Sequence, residues 1–170
     1  MRVYLCRHGE AVAQAPTDAE RPLTERGRLE VMALWQRLRE EGVTVDRLIA
    51  SPYRRAQQTA LCIARAYGGM DQEACGYLVP EAAPDQFLDW LIEQPSCENL
   101  VLVSHMPLVS LLSAASAAWP RSMSTWPPPA AHGCCGCAPR SNPAGAGRAS
   151  VLFFPVLDRH LILHVVENLQ

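Results

Sequence analysis

Leu5-Cys6-Arg7-His8-Gly9-Glu10 closes a short β-type run that begins at Met1. Two other stretches end in a similar way. Val45 to Ala50 reads as a strand closed by Ser51-Pro52, with Arg54 and Arg55 on the first turn of the helix that follows. Asn99 to Val103 is a continuous apolar run ended by Ser104-His105, the pattern of a strand buried on both faces. Ligands of open α/β sheets bind outside the carboxyl ends of the strands, so these three ends can converge. Two Arg and two His on one rim make an anion site, because planar guanidinium forks match phosphate oxygens. A neutral imidazole in such a site can attack phosphorus. The arginines then stabilise charge on the transferring group. Each element alone has a plainer reading: a loop or core histidine, a solvated Arg pair on a helix, a turn glycine at Gly9. The coincidence of all three at predicted strand ends is what favours a site.

Helical patterns lie between the strands. A polar, Pro-containing loop runs to about Leu23. Thr24 is a good N-cap, after which Leu29, Met32, Ala33, Trp35 and Leu38 recur at helical spacing to about Glu40. Tyr53 to Tyr67 predicts a second helix, with Ala56, Thr59, Ala60, Ile63 and Ala64 on one face. A short strand is expected at Tyr77 to Val79, a helix from Pro84 to Glu93 and another from Met106 to about Ala118. Strands alternating with helices imply a parallel or mostly parallel sheet.

The 170 residues suit one domain, or one domain with a tail. With 49% apolar and 19% charged residues, the chain can bury a sizeable core and is not mainly disordered. No apolar run reaches the roughly 18 residues of a membrane span. Arg2 and Arg7 bracket only a short apolar run, so no signal-peptide core is present and a cytoplasmic location is expected. A formal net charge of −2 argues against nucleic acid as the main partner.

Four of the seven cysteines (Cys6, Cys62, Cys75 and Cys97) stand singly among apolar residues and read as buried free thiols of a reducing compartment. The others crowd into His132-Gly133-Cys134-Cys135-Gly136-Cys137. Zinc is the competing reading there, but the second ligand pair of a usual site is missing, and no metal is assigned. From about Ala117 to Ser150 the chain is Pro, Ala, Gly, Ser, Cys and Arg without periodicity, and Pro127-Pro128-Pro129 excludes helix or central strand. Such a stretch inside a compact domain is unusual. Val151 to Phe154 and Leu161 to Val166 restore strand character.

Arg7-His8-Gly9 resembles the RHG signature of the histidine phosphatase superfamily, the phosphoglycerate mutase-like fold. Pro22-Leu23-Thr24-Glu25-Arg26-Gly27 resembles its PLT-x-x-G motif. Ser51-Pro52-Tyr53-Arg54-Arg55-Ala56-Gln57-Gln58-Thr59-Ala60 resembles its SP-x-x-RA-x-QTA motif, and Val103-Ser104-His105 its VSH motif. The four stand in family order and span about residues 1–116. The resemblance implies one α/β domain over 1–170, with a mostly parallel central sheet flanked by helices on both faces. It implies His8 as the nucleophile that becomes phosphorylated, with Arg7, Arg55 and His105 in the phosphate pocket. Arg54 does not align. No cofactor or metal is implied.

Mutases and fructose-bisphosphatases of this superfamily carry long insertions that roof the site. The short interval between Thr59 and His105 leaves little room for a large roof insertion. The short chain, Arg21-Pro22-Leu23-Thr24 and Ser104-His105-Met106-Pro107-Leu108-Val109 resemble the small SixA phosphohistidine phosphatases of bacteria. That implies a phosphohistidine substrate on a signalling protein, typically a histidine-phosphotransfer domain, and an open site suits a protein substrate. Arg21 matches the Arg before PLT and is a weaker phosphate or substrate ligand. Other branches supply a Glu or Asp as general acid, for which Glu81 and Asp85 are the candidates against the plain reading of solvated surface carboxylates. Phosphohistidine has a better leaving group than an alkyl ester, so a weak or absent acid fits that substrate. A small-molecule phosphomonoesterase of the same superfamily and a non-catalytic binder of phosphorylated partners are the alternatives.

Family members should continue after the VSH helix with another core strand, and residues 117–150 depart from that expectation. An out-of-frame translation or a drifted region is one account. Cys134-Cys135-Gly136-Cys137, read from the preceding third base, encodes Leu/Val/Met, Leu, Arg/Trp, Leu/Val/Met, a plausible strand. A genuine low-complexity loop is the other account, and the native codons decide between them.

Overall fold

The computed structural model describes residues 1–95, 97–112, 148–156 and 159–167, the last two segments as backbone strands. Six strands form one sheet: β1 (Arg2–Arg7), β2 (Arg47–Ala50), β3 (Glu73–Ala74), β4 (Asn99–Ser104), β5 (Arg148–Val156) and β6 (Arg159–Glu167). Their order is β3-β2-β4-β1-β6-β5, and every pairing is parallel except the β5–β6 edge. The three α-helices with described bounds are α1 (Glu25–Glu40), α2 (Arg54–Ala66) and α3 (Pro84–Ile92). Another helix begins at 108. The expected helix from Met106 to about Ala118 thus starts two residues later, and its end lies outside the described residues. The stretch 117–150 lies outside them through residue 147, as does the His132–Cys137 cluster. Its last three residues open β5.

The central strands are apolar throughout because both sheet faces are covered. Tyr4, Cys6, Leu48, Ala50, Val101 and Val103 pack with α1 and α2 on one side. Val3, Leu5, Ile49, Leu100 and Leu102 pack with α3 and the 108–112 helix on the other. Alternate residues of one strand thus serve two cores, and each fully buried aliphatic side chain contributes about 1.5–3 kcal/mol. Cys6 and Cys62 are buried, whereas Cys75 and Cys97 are only half-buried; all four are free thiols. No helix among the described residues is long and apolar enough to cross a membrane.

Two expectations need correcting. The buried stripe of α1 is Gly27, Val31, Leu34, Trp35 and Leu38, while Leu29 is 60% exposed and Ala33 faces out. The two stripes share Trp35 and Leu38 and both have helical spacing; the one completed by Val31, Leu34 and the small Gly27 fits against the sheet and the loop after β1. The short strand expected at Tyr77 to Val79 is a 3₁₀ turn over Gly76–Leu78, and the strand β3 lies earlier. Cys75 N extends the ladder to Ala50 O, after which Leu78 N donates back to Cys75 O. The turn sinks Leu78 fully into the core against α3.

Candidate active site

β1, β4 and β2 end level with one another, because Arg7 pairs with Ser104 and Ala50 with Val103. The ladder runs one residue further on both sides. His8 N donates to Ser104 O at 3.0 Å, and Ser51 N to Val103 O at 3.0 Å. His8 and His105 therefore emerge at neighbouring strand ends, with ring centroids 5.0 Å apart. Helix α2 starts just after Ser51 and turns Arg55 inward to 4% exposure, while Arg54 faces solvent.

The His8 ring is fixed in one tautomer. Its Nδ1 lies 2.7 Å from Gly9 O. A carbonyl only accepts, so Nδ1 carries the hydrogen and Nε2 carries the lone pair. Arg55 Nε donates to that Nε2 at 3.1 Å. Burial pushes the His8 pKa down to about 4, against the upward pull of the Gly9 carbonyl and with help from Arg55, Arg7 and Arg21. His105 falls to about 3 through burial, then through His8 and Arg55. Both imidazoles are neutral near pH 7. His105 is 1% exposed, and among the described residues neither of its ring nitrogens has a hydrogen-bond partner. Buried polar atoms are normally paired, so this ring is suited to receiving a group from outside the chain.

Two residues of this cluster carry no motif signal that the sequence reading used. Tyr53 sets its ring 5.1 Å from His105 and under the Arg55 guanidinium at 5.0 Å, a cation–π contact. Asp18 lies on a 3₁₀ turn, Asp18–Glu20, and accepts from Arg55 twice: its main-chain O from Nη1, and its Oδ2 from Nη2 at 2.8 Å. Hydrogen bonds from Arg55 and Arg21 hold its carboxyl below the usual range. A signal for Asp18 was available: it stands three residues before Arg21, a spacing that lets the two pair across one turn.

Of the sequence-derived candidates, His8, Arg55 and His105 meet directly. Arg7, at the end of β1, depresses the pKa of both histidines. Arg21 sits beside the cluster, with Nη1 on Asp18 Oδ1 at 2.9 Å and Nε on Val12 O at 2.7 Å. Glu81 is one ring removed. Its carboxylate accepts from Tyr53 OH at 3.2 Å. Asp85 lies in the first turn of α3. No group of three His, Cys, Asp or Glu suited to a metal ion occurs among the described residues.

The remaining motif residues stitch the loops that carry the cluster. A Cβ on Gly9 would meet Val31 Cγ2 at 2.8 Å, and one on Gly27 would run into the main chain of Glu10. These two glycines let the start of α1 lie directly on the loop after β1. Thr24 caps α1 by accepting from Gly27 N at 2.9 Å, and its hydroxyl donates to Glu10 at 2.7 Å. Thr59 accepts from Gly9 N at 3.1 Å and donates to Arg55 O at 2.7 Å. Gln58 accepts from Leu23 N at 2.7 Å, and Ser104 donates to Leu78 O at 2.9 Å.

A parallel α/β sheet with two neutral histidines and an arginine at its carboxyl edge defines a phosphoryl-handling class. The comparisons agree. Residues 3–75 match the histidine phosphatase superfamily (branch 1). Phosphohistidine phosphatase SixA of Escherichia coli is 31% identical over 123 residues, covering 67% of this chain and 73% of that protein. The mitochondrial serine/threonine-protein phosphatase Pgam5 of Drosophila virilis is 42% identical over 84 residues, 48% of this chain and 29% of its own length. The solved structure of the protein histidine phosphatase SixA complexed with tungstate superposes with a TM-score of 0.62 at 29% identity, covering 66% of this chain and 74% of that one. The chain belongs to the histidine phosphatase superfamily and is a phosphatase with a SixA-like fold.

Proposed function

We propose that this phosphatase removes the phosphoryl group of phosphohistidine on a signalling protein, of the histidine-phosphotransfer type, through a phospho-His8 intermediate. The observation that carries the reading is the His8 tautomer: Nδ1–H is committed to Gly9 O, which leaves the lone pair on Nε2, where it accepts from Arg55 Nε beside the His105 ring. In the first step Arg55 Nε–H passes from Nε2 to a phosphoryl oxygen, the freed Nε2 lone pair attacks phosphorus, a P–N bond forms to His8, and the P–N bond to the substrate imidazole breaks. The departing imidazole leaves neutral once it has gained a proton. Water then attacks phospho-His8, releasing inorganic phosphate and restoring the neutral ring. Arg7 and Arg55 stabilise the charge on the equatorial oxygens, and His105 donates a hydrogen bond to one of them. Arg21 supports the phosphate rim, and Glu81 is the candidate proton donor to the leaving group. The name of the Escherichia coli relative supports phosphohistidine as substrate.

Incubation with a phosphorylated phosphotransfer protein, followed by mapping of acid-labile phosphate, tests the mechanism. The label is expected on His8 and absent from His8→Ala; acid-stable label, or label elsewhere, removes it. A panel that sets the phosphotransfer protein against sugar phosphates and nucleotide-pathway phosphates tests the substrate. Preference for a small ester would reassign the protein to phosphomonoester hydrolysis.

A further inference from the structure

We infer that Asp18 is a positioning residue that aims Arg55 at the nucleophile, an inference that rests on the phosphate-pocket reading above. A guanidinium has two edges able to grip an oxyanion: the Nη1/Nη2 end, and the side formed by Nε–H with the nearer hydrogen of Nη2. Asp18 takes the end. Its main-chain O accepts from Nη1 and its Oδ2 from Nη2. The side edge is thereby turned to His8, where Nε meets Nε2 at 3.1 Å. A phosphoryl group on Nε2 would meet that same edge.

Asp18 is itself held. Arg21 Nη1 donates to its second carboxylate oxygen, Oδ1, at 2.9 Å, and Arg21 Nε is tied to Val12 O. The loop is closed at its base by the Ala11–Leu23 bridge and by Val12 N on Pro22 O at 2.9 Å. The turn carrying Asp18 thus rests on a closed loop, and Arg21 acts on the pocket through Asp18. An ionised carboxylate also supplies the counter-charge that a buried Arg55 requires. Preorganising the donor in this way limits its movement to the short shift from Nε2 to a phosphoryl oxygen when charge develops there.

The test is a double-mutant cycle on the full chain with phosphorylated substrate, read with a spectroscopic probe of Arg55. Asp18→Ala is expected to lower kcat about tenfold with a smaller change in KM, since the main-chain acceptor survives. Asp18→Asn, which keeps a side-chain acceptor, is expected to fall between Ala and wild type. In an Arg55→Ala background, adding Asp18→Ala should cost less than about twofold, because the residue acts through Arg55. Equal kcat for wild type and Asp18→Ala, or losses that multiply, would overturn the inference. Independently of turnover, the Arg55 Nε–H resonance should exchange slowly with solvent in wild type and faster in Asp18→Asn. Unchanged exchange overturns the positioning role even if the covalent mechanism holds. Failure of wild type to form phospho-His8 counts against the parent reading alone.

Discussion

An imidazole attacks phosphorus only through a nitrogen that carries no hydrogen, and His8 meets that condition because Gly9 O claims its Nδ1 proton. His8→Ala should abolish turnover while leaving the melting temperature within a few degrees of wild type, since it removes no member of either apolar core. Turnover within a few fold of wild type would exclude covalent catalysis by His8. Arg55→Ala should lose about 2–4 kcal/mol of transition-state stabilisation, the scale for one preorganised donor; a kcat loss below about tenfold would place Arg55 outside the pocket. His105 is expected to follow the order wild type, Asn, Ala, because Asn retains a neutral donor and Ala none. Phospho-His8 should still form in both variants, more slowly. A melting curve must accompany the rates, since His105 is buried and Ala leaves a void. The residues that meet at the strand ends were legible because strand-end position and motif spacing coincide at His8, Arg55 and His105. Tyr53 was not, and the spacing that pairs Asp18 with Arg21 did not disclose its contact with Arg55, because these contacts join segments distant in sequence: Asp18 reaches α2 and Tyr53 reaches the end of β4.

At the level of elements, apolar runs announced the strands and Thr24 announced the start of α1. Spacing alone did not select the buried stripe of α1, since two stripes satisfy the same helical period. The choice is made by Gly27, whose missing side chain admits the main chain of Glu10. That contact gives the second motif its glycine: it seats the helix against the loop that follows His8. Gly27→Ala should therefore destabilise the fold by about 1–3 kcal/mol, the range for overpacking a tight contact, as a lower urea midpoint. It should also lower kcat, because the displaced loop follows His8 directly. An unchanged midpoint would mean that Glu10 yields freely and that the close approach is incidental. The 3₁₀ turn at Gly76–Leu78 was missed for a related reason: Leu78 is drawn inward by the core under α3, a demand that its flanking sequence does not display.

Across the molecule, the sheet brings His8 and His105 together in a buried setting that opposes protonation, and this links stability to pH. Both have unfolded-state values near 6.5 and folded values of about 4 and about 3. Above pH 6.5 both states hold the rings neutral, and the full stability is present. As pH falls through 6.5 the unfolded chain gains protons that the folded chain refuses, so stability drops until the folded rings titrate. The rings lie 5.0 Å apart, so their protons arrive in two steps that belong to the pair. Asp18 and Glu10, whose carboxyls are held low by Arg partners, add their loss only at lower pH. Between pH 6.5 and about 5 the histidines therefore dominate among these depressed groups. Urea unfolding across that interval should show stability falling with pH, and His8→Asn with His105→Asn should flatten the slope. Tungstate should flatten it too, because an oxyanion that binds the protonated His105 ring favours the charged form in the folded chain. The acid limb of kcat/KM belongs to the free enzyme and should follow the depressed His8 value, well below that of an ordinary histidine. A slope unchanged by both substitutions would show that burial does not hold the two imidazoles neutral below pH 6.5, and the low acid limb expected of kcat/KM would lose its physical basis, while the His8 tautomer would still rest on Gly9 O.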